Sequence, residues 1–448
     1  MEEQAEHQPK WQIPFFTIWT GQALSLVGST VTQFALVWYL TETTGSATVL
    51  ATASMMALLP GIFLGPFIGA LIDRWNRRVV MIVADSVIAL AILWLAYLFW
   101  IDALQIWHVY VIMFIRAVGG SFHLPAMQAS TSLMVPKKHL ARVAGINQTL
   151  NGVMNIIGAP LGALLMGLLP MHGVMLVDIV TAALAIGPLF FVHIPQPKRA
   201  DEGRAQKQSI WADLGDGLRY LRGWSGLMAL IGFALIFKIA LTPAISLIPL
   251  LVYKHFGGGA AQLSLVEAVT GVGIILGGLL LSIWGGFKRQ IVTVMTAVIV
   301  FGLSFVVLGM APAGMFGLAL VSMFVVGLML PMIDGPIMAI LQGTVAPEMQ
   351  GRVFTMMNSL LNLTGPISLA FAGPVSDWVG LQVWYVAAGV LCAVSGVLGF
   401  FIPAIMNIEE NNNGAAAVGA EMKEMWRTSA KAKSDQVASR SANCPPHC

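Results

Sequence analysis

Along this chain, apolar runs of about 20 residues alternate with short polar breaks, the length that spans the hydrocarbon core of a bilayer. The runs are continuous, unlike the ten-residue alternating segments of membrane strands, so the pattern predicts helices rather than a barrel. Twelve candidate helices fall near 15–40, 47–72, 79–101, 107–133, 143–169, 174–194, 226–252, 263–285, 291–311, 315–343, 353–376 and 382–406. This is the pattern of an all-α membrane protein with twelve transmembrane helices.

The polar breaks orient the helices. Of the 24 Lys and Arg residues, 21 lie in the segments that share a side with the N-terminus. Lys254 alone lies on the other side, and Arg116 and Lys238 lie within spans. Basic residues hold their loops on the cytoplasmic side, which predicts cytoplasmic N- and C-termini. The longest internal break, 195–225, divides the helices six and six. Within it Trp211, Leu214, Leu218 and Leu221 recur at helical spacing, as in a helix lying along the membrane face. The expected organisation is an N-terminal segment 1–14, a bundle 15–194, a connector 195–225, a second bundle 226–406 and a disordered polar tail 407–448.

The two bundles echo each other. Pro136, Arg142-Val143, Asn147 and Asn151 recur as Pro347, Arg352-Val353, Asn358 and Asn362, about 211 residues later. Two such repeats imply a fold of two pseudo-symmetric six-helix bundles with a site between them at mid-membrane.

Composition agrees and excludes alternatives. The chain is 57% hydrophobic and 10% charged, with a mean hydropathy of +0.80; a soluble domain carries about 25% charged residues. Its 46 glycines suit close helix packing in lipid. The net charge of +3 reflects topogenic loops rather than a nucleic-acid surface. The acidic N-terminus MEEQAEHQPKW lacks the basic region of a cleaved signal peptide. Three cysteines form no disulfide framework, and Cys444-Pro-Pro-His-Cys448 offers too few ligands for a closed metal site. No phosphate loop, zinc motif or nucleophile elbow occurs, so the expectation is a non-enzyme without a cofactor.

The densest charge cluster, GALIDRWNRR at 69–78, follows the pattern Gly69-x-x-x-Asp73-Arg74-x-x-Arg77-Arg78. It resembles the signature loop between helices 2 and 3 of the major facilitator superfamily, with a degraded echo from Gly278 to Arg289 that places Ser282 at the offset of Asp73. Asn76 stands where the superfamily usually has glycine; asparagine tolerates a left-handed backbone, so a tight turn is expected there. Asp73 can meet the N-terminus of a neighbouring helix while the arginines form ion pairs and headgroup contacts. The cluster is thus expected to act as a cytoplasmic gate.

Helix 4, Phe114 to Gln128 (FIRAVGGSFHLPAMQ), resembles the arginine-bearing motif of drug–proton antiporters, and more closely the macrolide-efflux (Mef-type) branch of the third such family. The strings IWTGQALSLV from Ile18, WYLTETTGS from Trp38, Val83-Ala84-Asp85, Leu176 to Ile179, Gly277 to Leu281 and Gly351 to Phe354 carry the same resemblance, over roughly 11–405. It implies proton-driven export of a small amphiphilic compound by a monomer working through alternating access in the bacterial cytoplasmic (inner) membrane.

Ionisable residues in the bilayer cost about 2.5–3.5 kcal/mol each and so point to function. Arg116 in helix 4 is the candidate cavity cation, for coupling or structure. Lys238 in helix 7 and Asp334 in helix 10 either tune the substrate range or form a structural pair. Glu267 and Asp178 open helices 8 and 6. Glu267 is the preferred proton carrier, whereas Asp178 reads as a first-turn acid favoured by the helix dipole. Asp85, just inside helix 3, is expected to pair with a basic inner-loop residue such as Arg142 and join the gate. His123, seven residues after Arg116, shares its helix face and either moves a proton or packs. On helix 5, Asn147, Asn151 and Asn155 form an i, i+4, i+8 stripe expected to glue helices. The Gly158-Ala-Pro160-Leu-Gly162 segment resembles the helix-5 Gly-Pro motif of antiporters and is expected to kink. The leading substrate is a macrolide-like drug. The alternatives are an endogenous metabolite such as a siderophore or lipid, or a non-transporting membrane sensor of the same fold.

Overall fold

The computed structural model of the chain describes residues 11–192, 194, 225–345 and 347–409. The connector helix around Trp211, the tail beyond Glu409 and residues 1–10 lie outside the described residues. Twelve long helices are present, and no strand occurs among the described residues. They are α1 (Gln12–Thr44), α2 (Ala47–Arg74), α3 (Arg77–Trp100), α4 (Ile106–Met134), α5 (Leu140–Leu168), α6 (Met171–Phe191), α7 (Ser225–Ser246), α8 (Ala260–Trp284), α9 (Gln290–Met310), α10 (Phe316–Thr344), α11 (Pro347–Val379) and α12 (Leu381–Phe401).

Eleven are long and apolar enough to cross a membrane. The exception, α11, runs 33 residues, about 50 Å of helix, but carries Asn358, Asn362, Thr364, Ser368 and Asp377. Around the bundle, large apolar side chains stay exposed, including Phe191 at 89% and Trp378 at 87%. So wide an apolar surface marks a molecule meant to be covered, and lipid is the solvent its helix lengths fit.

Capping chemistry sets the helix ends. Gly45 closes α1 in the left-handed conformation at φ 58°, its N–H donating to the Thr41 carbonyl. Asn76 departs from the expected left-handed turn: it sits at φ −68°, ψ 110°, and its side-chain oxygen accepts from the Arg78 and Val79 amides. The residue thus serves as the N-cap of α3. The seventh predicted span, 226–252, is divided. α7 ends at Ser246 and a short helix, Ile248–Lys254, begins after Leu247 with Pro249 in its first turn. Pro249 has no N–H to continue the ladder, and its ring clashes with the carbonyl four residues back. Pro160 instead lies within an unbroken α5.

In the first half α1 packs on α6 and α5, α4 packs on α2 and α3, and α3 packs on α6; in the second, α9 packs on α10 and α12, and α8 on α10. The second core is aromatic. Phe237, Phe301 and Phe305 follow one another at 5.1 and 4.9 Å, and Tyr385 stacks on Phe305 at 5.9 Å. The buried Tyr385 hydroxyl donates to the Ala244 carbonyl at 2.7 Å, satisfying the one polar atom that the cluster buries.

The halves join along α2–α11 and α5–α8, with the short helix against α1. At Gly271 on α8, a Cβ would lie 2.7 Å from the Asn155 carbonyl oxygen of α5, so this crossing needs a glycine. The turn holding Trp75 and Asn76 and the turn before α5 lie at one end, the basic end; the turns at Gly45 and Gly380 lie at the opposite end.

Candidate functional site

A cavity of about 900 Å³ runs through the first half, lined mainly by α1, α3, α4 and α5, with Ala57 from α2. It extends along α1 from Trp19 to Gln33 and reaches the α4–α5 turn at Ser132 and Leu140, so it follows the bundle to its basic end. Each helix contributes polar side chains from an otherwise apolar run: Gln22 from α1, Asp85 from α3, Arg116, His123 and Gln128 from α4, and Asn147 and Asn151 from α5.

Two charge clusters lie at its depth. In the first, Arg116 Nη1 donates to Asp178 Oδ2 at 2.9 Å and Nη2 to the Ser29 backbone carbonyl at 2.9 Å. Ser29 Oγ donates to the other carboxylate oxygen at 3.2 Å. Asp178 is 3% exposed. This corrects the expected first-turn acid: α6 starts at Met171, so Asp178 lies two turns inside, where the dipole of the helix end no longer reaches. A carboxylate so buried needs a counter-charge, and Arg116 supplies it.

In the second cluster, Gln22 Nε2 donates to Asp85 Oδ2 at 3.1 Å, and His123 Nε2 stands 3.4 Å from Asp85 Oδ1. The imidazole angle falls short of a hydrogen bond, since His123 Nε2 is a buried nitrogen without one. The contact is therefore close in distance yet unsaturated. Asp85 does not pair with Arg142, which is exposed at the start of α5; α3 turns the carboxylate toward α1 and α4 instead. A small void of about 30 Å³, lined by Ser25, Ser29, Asp85 and Asp178, lies between the two clusters. It has room for a water and the polar partners a water needs.

The remaining candidates are dispersed. Arg77 is buried and donates from Nη1 to the Ala129 carbonyl at 2.9 Å, and Arg78 donates to the Leu189 and Phe190 carbonyls. Arg78 thus satisfies carbonyls in the last turn of α6, where cations are favoured, while Arg77 adds a bond to a carbonyl one turn further inside α4. Gly69 and Arg74 are exposed; the side chain of Asp73 lies outside the described residues. Lys238 and Asp334 are both exposed, and Lys238 attracts Asp334 electrostatically without an ion-pair contact among the described residues. Glu267 is exposed two turns into α8, off the cavity wall. It is therefore not the first-turn acid that its expected place at the start of helix 8 implied.

The helix-5 stripe divides. Asn147 Oδ1 accepts from Trp19 Nε1 at 2.7 Å and so ties α5 to α1. Asn151 lines the cavity instead of gluing helices, and Asn155 is exposed where α5 meets α8. Gly158 and Gly162 are buried against α1, where a Cβ would lie 2.5 Å from Thr30 Cγ2 and 2.8 Å from Phe34 Cδ1. The sequence reading misses Gln22 and Asp377. Gln22 is detectable as a lone amide in an apolar run, Asp377 by the Gly373-x-x-x-Asp377 spacing that repeats Gly69-x-x-x-Asp73.

Known proteins resemble this chain over most of its length. A family profile described as Major Facilitator Superfamily matches residues 18–245. Macrolide efflux protein A of Streptococcus pyogenes is 33% identical over 386 residues, covering 86% of this chain and 95% of that protein. Multidrug efflux pump Tap of Mycolicibacterium fortuitum is 27% identical over 398 residues, covering 85% and 94%. Among solved structures, the nucleoside transporter NupG aligns with a TM-score of 0.66 at 14% identity, covering 87% of this chain and 98% of that one; at that identity the likeness speaks to the fold alone.

Proposed function

Because the chain belongs to the Major Facilitator Superfamily, we propose that it is a proton-coupled exporter of small amphiphilic compounds, with a macrolide-like drug as the leading substrate. The observation that carries this reading is the cavity of about 900 Å³, walled by an indole, several amides and two charge clusters. Its size lies in the range of drug-sized ligand sites, about 300–1,000 Å³, and few but well-placed polar groups are what such sites use for orientation. The efflux pumps named above support export as the direction.

The electrostatics suggest how a proton is exchanged. Arg116 and Asp178 neutralise each other. That leaves Asp85 as the one carboxylate of the wall without a permanent cation, facing the neutral or charged imidazole of His123. A proton or a cationic substrate group satisfies this carboxylate, and competition between the two is the simplest physical form of antiport. Asp85 and His123 therefore carry the proton in this reading. Glu267, the sequence-based choice, stands off the cavity wall. The basic end faces the cytoplasm by the positive-inside rule, so the cavity receives substrate from the cell interior or inner leaflet, and the protein works as a monomer in the bacterial inner membrane.

The test is a susceptibility panel in a pump-deleted bacterium expressing the chain or its Asp85→Asn variant, with and without protonophore. Macrolides, lincosamides, tetracycline, cationic dyes and siderophore load form the panel. Protonophore-sensitive resistance to one class, lost in the variant, is the expected result. No change anywhere on the panel, with the protein verified in the membrane, refutes drug export and leaves an endogenous metabolite or a sensor.

A further inference from the structure

The end opposite the basic turns is closed by a contact that none of the sites above uses. Asp377 lies in the last turn of α11, beyond the apolar run that ends near residue 376, and its carboxylate receives the first turn of α2. Oδ1 accepts from the Ala47 amide at 2.7 Å. Oδ2 accepts from the Thr48 amide at 2.9 Å, Thr48 Oγ1 at 2.7 Å and Ser46 Oγ at 2.9 Å. The partners stand about 330 positions apart in the sequence and belong to opposite halves. The first amides of a helix have no partner within it and carry partial positive charge, so a carboxylate from outside is their natural complement. Four charge-assisted bonds are unusually many for one exposed side chain, and charged bonds are the strong ones.

The backbone is shaped for this contact. Gly373, one turn before Asp377, lies where a Cβ would approach Thr48 Cα and Ala51 Cβ to 2.9 Å, so glycine allows α11 and α2 to touch. Beside it, Trp38 meets Tyr253 edge to face at 5.9 Å, and the Lys254 side chain covers the Gly45 turn. Lys254 is the one Lys or Arg that the sequence pattern places in a loop on this side.

We infer that Asp377 is a latch that holds this end of the two halves shut, and that transport requires the carboxylate to leave the α2 N-terminus in each cycle. The inference rests on the alternating-access reading above, since only a rocking bundle must break the contact. α2 then takes part at both ends: it ends in the signature Gly69-x-x-x-Asp73 at the basic end, and at the other it offers its amides to the same Gly-x-x-x-Asp spacing on α11.

The latch has a pH dependence of definite sign. Burial pushes the Asp377 carboxyl up, but the hydrogen bonds from Thr48, Ala47 and Ser46 outweigh this and hold it below its ordinary value. A group depressed in the closed state stabilises that state above its ordinary value and loses the contribution as pH falls through the depressed one. The elements packed on α11 (α2, α7, α10 and α12) place no other carboxylate or base at this end. The charged groups on adjoining segments are Glu42, which accepts from Trp38 Nε1, and Lys254; His255 contacts the Ala311 carbonyl and Gln382.

The experiment measures the opening directly. Nitroxide labels at Thr43 and Val383, both exposed, are placed in a chain whose Cys392, Cys444 and Cys448 are replaced, in phosphatidylethanolamine–phosphatidylglycerol nanodiscs. Asp377→Ala is expected to raise the population with a long label distance about five- to tenfold, the effect of losing a helix cap. Thr48→Val, isosteric and lacking one donor, is expected to raise it about threefold and carries the test should Asp377→Ala fail to fold. Acidification is expected to open the parent and leave Asp377→Ala unmoved. Distance distributions identical to the parent in both variants overturn the latch; acid opening that persists in Asp377→Ala overturns its pH dependence. The readout needs no drug, so failure of the susceptibility panel leaves it standing.

Discussion

Replacing Arg116 by alanine removes the counter-charge of Asp178 while leaving a carboxylate that is 3% exposed. Ser29 Oγ still donates to it at 3.2 Å, but one neutral hydroxyl does not balance a buried charge. Breaking a buried pair from one side costs about 3–5 kcal/mol. Polar pairs within membranes average nearer 0.6 kcal/mol because their unfolded partners also find contacts. The larger figure should win here, since the residue left behind is an ion, and ions at mid-bilayer cost about 2.5–3.5 kcal/mol on their own. For a bundle of this size that corresponds to a melting shift of roughly 6–20 °C. The informative comparison is the double replacement Arg116→Met with Asp178→Leu, which removes both charges and leaves apolar side chains in their place; apolar substitution of whole buried pairs is often neutral or better. Thermal inactivation of the parent, Arg116→Met, Asp178→Leu and the double variant in nanodiscs gives the coupling directly. A double variant no more stable than Arg116→Met, or single variants melting with the parent, would refute the account of Asp178 as a carboxylate held by Arg116. Transport by a stable double variant then shows whether the guanidinium also serves the substrate.

Further outcomes follow from other contacts. Asp73→Ala should abolish drug resistance while leaving the amount of protein in the membrane unchanged, and wild-type resistance in this variant would remove the gate from the signature loop. Asp85→Asn should eliminate drug-evoked proton movement in vesicles and Glu267→Gln should retain it; the opposite pattern returns the proton to Glu267. Asn76→Ala should lower stability by about 1 kcal/mol through loss of the α3 cap, and an unchanged melting profile would show that Asn76 contributes through its backbone alone. Gly162→Leu should impair assembly far more than Gly187→Leu, because a side chain at 162 meets Phe34 and one at 187 meets open space; equal melting of the two variants counts against the α1–α5 contact.

The sequence by itself determined the twelve spans, because apolar length is a one-dimensional property that the bilayer reads locally. It also determined the division into six helices and six, and the presence of Arg116, Asp178, Asp85 and His123 as ionisable side chains in otherwise apolar runs. Even the shared face of Arg116 and His123 was legible, since a seven-residue interval along one helix fixes their relative direction. What only the tertiary structure decided is pairing. Asp178 belongs to Arg116 and Asp85 to His123 and Gln22, and neither follows from spacing, because it depends on how far each helix is rotated about its own axis when it packs. The same reason hid Asp377, whose partners are backbone amides at residues 47 and 48: every helix offers such amides, and only the approach of α11 to α2 through Gly373 selects which carboxylate meets them.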